Sequence, residues 1–298
     1  MQRGWQLPYL LRALKPTIIV EAVMNRQEIF DHITKQIKEK LEQGTLPWRR
    51  SWKTGLPMNL LTKRPYSGIN FLSLCTNDFP SPYYLTFLQC RDKGGSINKG
   101  EHGSQIVYWA MKDTAGDLSD KEVRRYPLLR LSRAFNLSQT SLYISHSETL
   151  VITPYTSILN SLIIQPVIKN NTRACYYSPS EDYISIPQIQ DFETAEEYYS
   201  SLFHEIIHWT GNSSRLSRLG IDQDKTEKAT EELIAEIGSA YLCGLCGIAP
   251  TVIENQANYI QSWLGQVEGN PLYFVNASVQ AQKAVNYLFQ SIDNNTIL

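Results

Sequence analysis

No uninterrupted apolar run in this chain approaches the roughly 18 residues that a membrane-spanning helix requires. The opening segment MQRGWQLPYLLRALKPTIIVEAVM also lacks the clean apolar core of a secretory signal, being broken by Arg3, Arg12, Lys15 and two prolines. Five scattered cysteines without such a signal argue against a disulfide framework and point to the reducing cytoplasm. Cys243 and Cys246 have no second closely spaced pair with which to complete a zinc knuckle. Their helical, apolar neighbours suit buried free thiols instead. Internal repeats and low-complexity tracts are missing, which excludes solenoids and long disordered arms. Only five histidines exist, and the formal net charge is -1, so no overall basic balance announces a polyanionic partner.

The near-zero total conceals an asymmetry. Residues 1–150 carry 21 Lys and Arg against 13 Asp and Glu, whereas residues 151–298 carry 7 against 16. Such a split suggests two modules with different partners, or two halves that attract each other. The length of 298 residues allows both modules an independent core. Periodicity predicts an α+β fold of two domains: an extension over 1–23, a first domain over 24–150, a connection over 151–173 and a second domain over 174–298. Ile29, Ile33, Ile37 and Leu41 give a helix ending at Gly44. A second helix is expected from near Pro82 to Gly94–Gly95, with strands at 105–111 and 143–153. Residues 112–140 read as a polar insertion. A hairpin is expected over 174–187, with its turn at Ser178–Asp182. Helices are expected over Glu193–Thr210, Glu227–Cys243, Ala257–Leu264 and Ser278–Ile292.

Two of the five histidines fall in SLFHEIIHWTG. His204 and His208 stand one helical turn apart, so both rings can face one ion. The intervening Glu205 has the place of the general base in HExxH zinc peptidases. The simpler alternative is an amphipathic helix with two ordinary histidines. Against it stands EELIAEIGSA on the next helix, where Glu232 and Glu236 share one face among apolar neighbours, and buried carboxylates need partners. His204, His208 and Glu232 would supply the three ligands of a catalytic zinc site. Glu236 would orient a ligand histidine, although the reverse assignment of the two glutamates stays open. Zn²⁺ is the expected ion and Mn²⁺ the alternative. The preceding YISIP could line the cleft beside the site. Donors for a developing oxyanion are sought among Tyr176, Tyr177, Tyr183, Tyr259, Arg215 and Arg218. A phosphodiesterase is less expected, because carboxylate-rich two-metal sites suit that chemistry better.

The basic half interleaves cations with flat rings in WRRSWK, TKRPY and RDKGGSINKGEHG. Single-stranded nucleic acid is bound by this combination, with cations on phosphates and rings on unpaired bases. Trp48, Trp52, Tyr66 and Trp109 are the candidate platforms. Arg49, Arg50, Lys53, Lys63, Arg64, Lys93 and Lys99 are the candidate phosphate contacts. The bland alternative is core tryptophans and solvated lysines.

Taken together, LEQGTLPWRRSW, PMNLLTKRPYSGIN, YYLTFLQCRDKGGSINKGEHG and IVYW, followed by FHEIIHWTG, SRLSR, EELIAEIGSAYL and the tail from YIQSWLG to AQKAVNYLF, resemble the ArdC family of antirestriction proteins. The resemblance covers nearly the whole chain from about Met24. It implies an N-terminal single-stranded-DNA-binding domain and a C-terminal zincin-like metallopeptidase domain. It implies protection of incoming plasmid or mobile DNA, with a host protein as a possible peptidase substrate. It also implies ligand roles for His204 and His208, a catalytic role for Glu205, and a third ligand from EELIAE. Cys90 and the stretch VITPYTSILN depart from the family pattern.

Overall fold

Ile33, Ile37 and Leu41 line one face of helix α1 (Arg26–Glu42) and are almost completely buried, as their helical spacing requires. In the computed structural model the described residues are 26–50, 55–113, 125–143, 153–170, 173–218, 224–250 and 256–289. The extension 1–23, Trp52, Lys53 and most of the strand expected at 143–153 lie outside them. After α1 come β1 (Met58–Asn59), α2 (Gly68–Cys75), β2 (Tyr83–Thr86), α3 (Phe87–Asp92), β3 (Ser104–Asp113) and β4 (Arg125–Asn136). The strands form one sheet in the order β1-β2-β4-β3, with β1 parallel to β2 and the other pairs antiparallel.

Three expectations fail here. The helix predicted from Pro82 is a strand followed by a short helix. The boundary is set by Thr86, whose hydroxyl accepts from the Gln89 backbone N–H at 3.2 Å while the Gln89 side chain accepts from the Thr86 N–H at 2.9 Å. The supposed polar insertion at 112–140 contains β4, the central partner of both β2 and β3, whose stability comes from pairing distant in sequence rather than from local pattern. Finally, residues 46–74, whose prolines and glycines point to loop and short extended pieces, contain most of α2, every residue of which is buried.

β3 lies at the sheet edge, and α2 attends to that edge with side chains. The Asn70 amide donates to the Val107 carbonyl and accepts from the Val107 N–H, both at 2.7 Å, and the Ser73 hydroxyl donates to the Gln105 carbonyl at 2.6 Å.

The second half contributes α4 (Tyr155–Asn160), β5 (Val167–Lys169), β6 (Tyr176–Ser178), β7 (Tyr183–Ser185), α5 (Ala195–Thr210), α6 (Lys225–Cys246), α7 (Gln256–Gly269) and α8 (Tyr273–Phe289). The expected hairpin is present as β6 and β7, with Asp182 in the left-handed region at its turn. β7 is the middle strand of the order β5-β7-β6. Its backbone is therefore paired on both sides.

The two α+β domains share one apolar core. Phe71 of α2 packs edge-on against Tyr241 of α6, with centroids 5.5 Å apart. The Thr34 hydroxyl of α1 donates to the Pro271 carbonyl at 2.8 Å, and Trp48 packs on Trp263 at 5.9 Å. The charge asymmetry therefore does not separate two independent bodies. It is laid across a single packed structure.

Candidate metal centre

The two helices that carry the site are fixed at their ends by local chemistry. Thr194 caps α5 by accepting from the Glu197 N–H at 3.2 Å. Asp224 caps α6, accepting from Thr226 and Glu227 at 2.8 and 3.0 Å. At the far end of α6 Gly247 takes a left-handed conformation (φ 67°), the ordinary helix stop that glycine permits. Between these ends α5 and α6 approach closely at Gly238. A Cβ there would meet Ile207 Cδ1 at 2.9 Å. This missing side chain lets the acidic face of α6 reach the histidines of α5.

His204 and His208 turn their Nε2 atoms toward each other and toward Glu232. The two Nε2 atoms are 3.0 Å apart. His204 Nε2 is 3.3 Å from Glu232 Oε2, and His208 Nε2 is 3.6 Å from Glu232 Oε1. Tetrahedral coordination with bonds of about 2.0–2.1 Å separates neighbouring donors by roughly 3.3 Å. The donor set, two imidazoles and one carboxylate, and its spacing thus fit a single divalent ion.

The far sides of the rings face two other carboxylates. His208 Nδ1 lies 3.2 Å from Glu231 Oε1. Glu231 is gripped by Arg218, whose Nε donates to Oε2 at 2.8 Å. Arg218 also donates to the Thr210 hydroxyl and the Ile207 carbonyl, both at 2.7 Å. On the other ring, His204 Nδ1 is buried without a hydrogen-bond partner, 3.7 Å from Glu236 Oε1. Glu236 accepts from the indole of Trp48 at 3.4 Å and has the Arg49 guanidinium 3.9 Å away.

These surroundings set the charges. Burial pushes the Glu232 carboxyl up, but hydrogen bonds to both imidazoles overcome it and hold the group far below the usual carboxylate range. Burial depresses the His208 imidazole, yet Glu231 and Glu232 outweigh it and raise the ring well above its ordinary value; burial also depresses His204, which Glu232 and Glu205 raise less strongly. Burial raises Glu236 despite its cationic neighbours. Glu205 is buried, and its charge is felt by both imidazoles. It is also felt by the Cys175 thiol, which burial and then that carboxylate push up to about 11.

Glu231 escaped the sequence reading, because position 231 looks like one more acid on a polar face until Arg218 is seen beside it. Two expected oxyanion donors are already occupied. Arg218 serves Glu231, and Arg215 is bound to Asp182 and to the Tyr177 hydroxyl while lying over Trp209. Tyr177 donates to Asp182 at 2.8 Å, and the Tyr176 and Tyr183 hydroxyls bond each other at 3.2 Å. Tyr259 is the expected donor that stands near the site. It is stacked on Trp263 and half-buried, its phenol raised by burial and by the charge of Glu232.

The basic half divides in two. Trp48 is fully buried, so it cannot be a base-stacking platform; that expectation is corrected. Arg49 bonds Gln256 beside Glu236, and Arg50 donates to the Asn77 carbonyl at 2.8 Å and to Asp78 at 2.7 Å, so both are structural ties rather than open phosphate contacts. Tyr66 is half-buried edge-on against Tyr84. The Trp109 side chain lies outside the described residues. Lys63, Arg64, Lys93 and Lys99 are exposed, Lys63 lying 3.8 Å over the Tyr83 ring. The structure also exposes two apolar side chains that sequence reasoning missed, Phe87 and Leu88 at the start of α3, the helix that Lys93 ends, 47% and 56% accessible. The Thr86-x-x-Gln89 cap was the signal that a helix begins there.

Two family models match the chain: the N-terminal domain of anti-restriction factor ArdC over residues 27–135, and a zincin-like metallopeptidase over residues 159–280. The crystal structure of the metal-free antirestriction ArdC protein from plasmid R388 superposes with a TM-score of 0.72 at 32% identity, covering 87% of this chain and 96% of that one. This chain belongs to the ArdC family. The Mn(II)-bound structure of the same ArdC protein matches equally well, with a TM-score of 0.72, 31% identity and coverage of 89% and 98%. Among curated relatives, the Escherichia coli DNA primase TraC is 27% identical over an alignment of 297 residues that covers 88% of this chain, and the chain spans only about a quarter of the primase (27%). The uncharacterized protein y4eC of Sinorhizobium fredii is also 27% identical, and there 91% of the relative is covered. No described helix is long and apolar enough to cross a membrane.

Proposed function

We propose that this chain is a metal-bearing antirestriction protein that binds single-stranded DNA and shields incoming plasmid or mobile DNA from restriction. The observation that carries the reading is the likeness, along nearly the whole chain, to an antirestriction ArdC protein whose structure has been solved with Mn(II). The spacing of donors in this chain supports the metal half: His204, His208 and Glu232 would hold Mn²⁺ or Zn²⁺. Lys63, Arg64, Lys93 and Lys99 would meet phosphates, and Phe87 would meet an unpaired base. A contact of this kind selects single strands over duplex and is tolerant of sequence.

A second reading, peptide hydrolysis, is favoured by the position of Glu205 on the same helical turn as the histidines. A bound ion would supply a polarised acyl oxygen and an acidified water. Glu205 would hold the water-derived proton at its carboxylate and pass it to a leaving amine. Tyr259 would donate to the oxyanion. A host protein would be the substrate.

One experiment separates the two. Glu205→Gln and His204→Ala are compared for metal content by mass spectrometry and for protection of DNA during conjugation. Glu205→Gln is expected to keep both the ion and protection, while His204→Ala loses the ion. Loss of protection in Glu205→Gln with metal retained would replace the first reading by the second. If the wild-type chain takes up neither ion, the metal half of the proposal fails.

A further inference from the structure

The two candidate ligand histidines are oriented by two carboxylate–cation arrangements of different origin. His208 is served from within its own domain, by Glu231 and Arg218. His204 faces Glu236, which is 2% exposed, and the groups that hold Glu236 come from residues 48 and 49, 188 and 187 positions earlier in the chain. The Trp48 indole N–H donates to Glu236 Oε2 at 3.4 Å, leaving Oε1 turned toward His204 Nδ1. An ion on Nε2 would leave Nδ1 carrying its hydrogen, a donor that must find an acceptor in this buried place. Glu236 Oε1, at 3.7 Å, is the acceptor within reach after a small closure.

We propose that Trp48 and Arg49 are positioning residues of the metal site, fixing Glu236 so that it holds His204 in the tautomer and orientation that ligation needs. The inference rests on the metal reading given above. Its consequence is that seating of segment 46–50 and ion binding reinforce each other, since a coupling between two binding events is reciprocal. It also means that the C-terminal domain alone lacks part of its own metal site.

The test uses the full chain and a double-mutant cycle on Mn²⁺ and Zn²⁺ affinity, measured by chelator competition, with Co²⁺ absorption as a probe of ligand geometry. Trp48→Phe keeps a ring against Trp263 and deletes the N–H. It is expected to weaken ion binding about tenfold, the low end of what outer partners of ligand histidines contribute, and to shift the Co²⁺ bands. In a Glu236→Gln background the same change is expected to have no further effect on affinity. Equal losses in both backgrounds would mark a packing defect and overturn the proposal. So would unchanged affinity in Trp48→Phe. Should that variant fail to fold, Arg49→Gln enters the same cycle with the same expected and overturning results. A wild-type chain that binds none of the three ions would instead sink the metal reading itself, and this inference with it.

Discussion

The α5–α6 pair and the corner where β2 turns into α3 both present polar and charged groups, yet they hold them in opposite ways. Around His204 and His208 the carboxylates of Glu231 and Glu236 are enclosed and that of Glu232 is half-buried, and each of the three faces a cation, an imidazole or an indole. On α3, Phe87 and Leu88 are left uncovered and Lys93 at its end stands in solvent. The difference separates two kinds of dependence. The first region carries stability and site geometry together, so damage to either damages both. In the second, contact with a partner can be removed while the fold stays intact.

The sharpest way to break this contrast is Arg218→Met. Arg218 and Glu231 are 3% and 4% exposed, and removing one member of a buried ion pair costs about 3–5 kcal/mol. Denaturant unfolding should show that loss, with metal affinity falling as well. Gly238→Ala comes next. The added methyl would press on Ile207, and overpacking of this kind costs about 1–3 kcal/mol. Part of that loss should appear as weaker ion binding, because the same contact sets the distance from Glu232 to the rings. Phe87→Ala should do the reverse. Stability should stay within about 0.5 kcal/mol, while affinity for a labelled oligonucleotide falls by about 1–3 kcal/mol, the usual value of one stacked base. Wild-type oligonucleotide affinity in Phe87→Ala would remove this corner from the DNA-contacting surface.

The smallest effect is a pH trend in the metal-free chain. His208 has a raised pKa in the fold, so its contribution is complete below the unfolded value of about 6.5 and is lost as pH rises through the folded value. Glu232 has a lowered pKa, so its contribution is present above about 4.3 and disappears only as pH falls toward its folded value. These groups therefore support the metal-free fold best between about pH 4.5 and 6.5. Melting temperature in chelator should decline from pH 6 to 9, and the rise produced by added Mn²⁺ should grow over the same interval, since ions and protons compete for the imidazoles. A flat difference would show that the rings do not exchange protons for metal.

How much of this was legible depended on sequence distance. His204, Glu205 and His208 lie on one helix, and Glu232 and Glu236 lie on the next. Helical periodicity put His204 and His208 on one face and Glu232 and Glu236 on another, and those faces meet in the fold. The role of Trp48 was not legible. Its basic neighbours suggest a nucleic-acid face, and only packing 188 residues away reveals an indole committed to Glu236. Arg218 was misread as an oxyanion donor for a similar reason, because nothing in SRLSR says which acid it will meet. In the fold, α1, α5 and α6 followed from their apolar spacing. β4 and α2 did not, since a strand paired at long range and a wholly buried eight-residue helix carry no periodic signal of their own.

The clamp on β3 has a consequence beyond the sheet. Val107 offers its N–H and carbonyl along an outer edge, the place where a stray strand from another molecule would dock. Asn70 answers both with one amide, imitating a neighbouring strand a single residue long. Strand addition at this point of the edge is thereby discouraged, and the guard depends on the Asn70 carboxamide keeping its orientation, with the Ser73 hydroxyl covering the Gln105 carbonyl beside it.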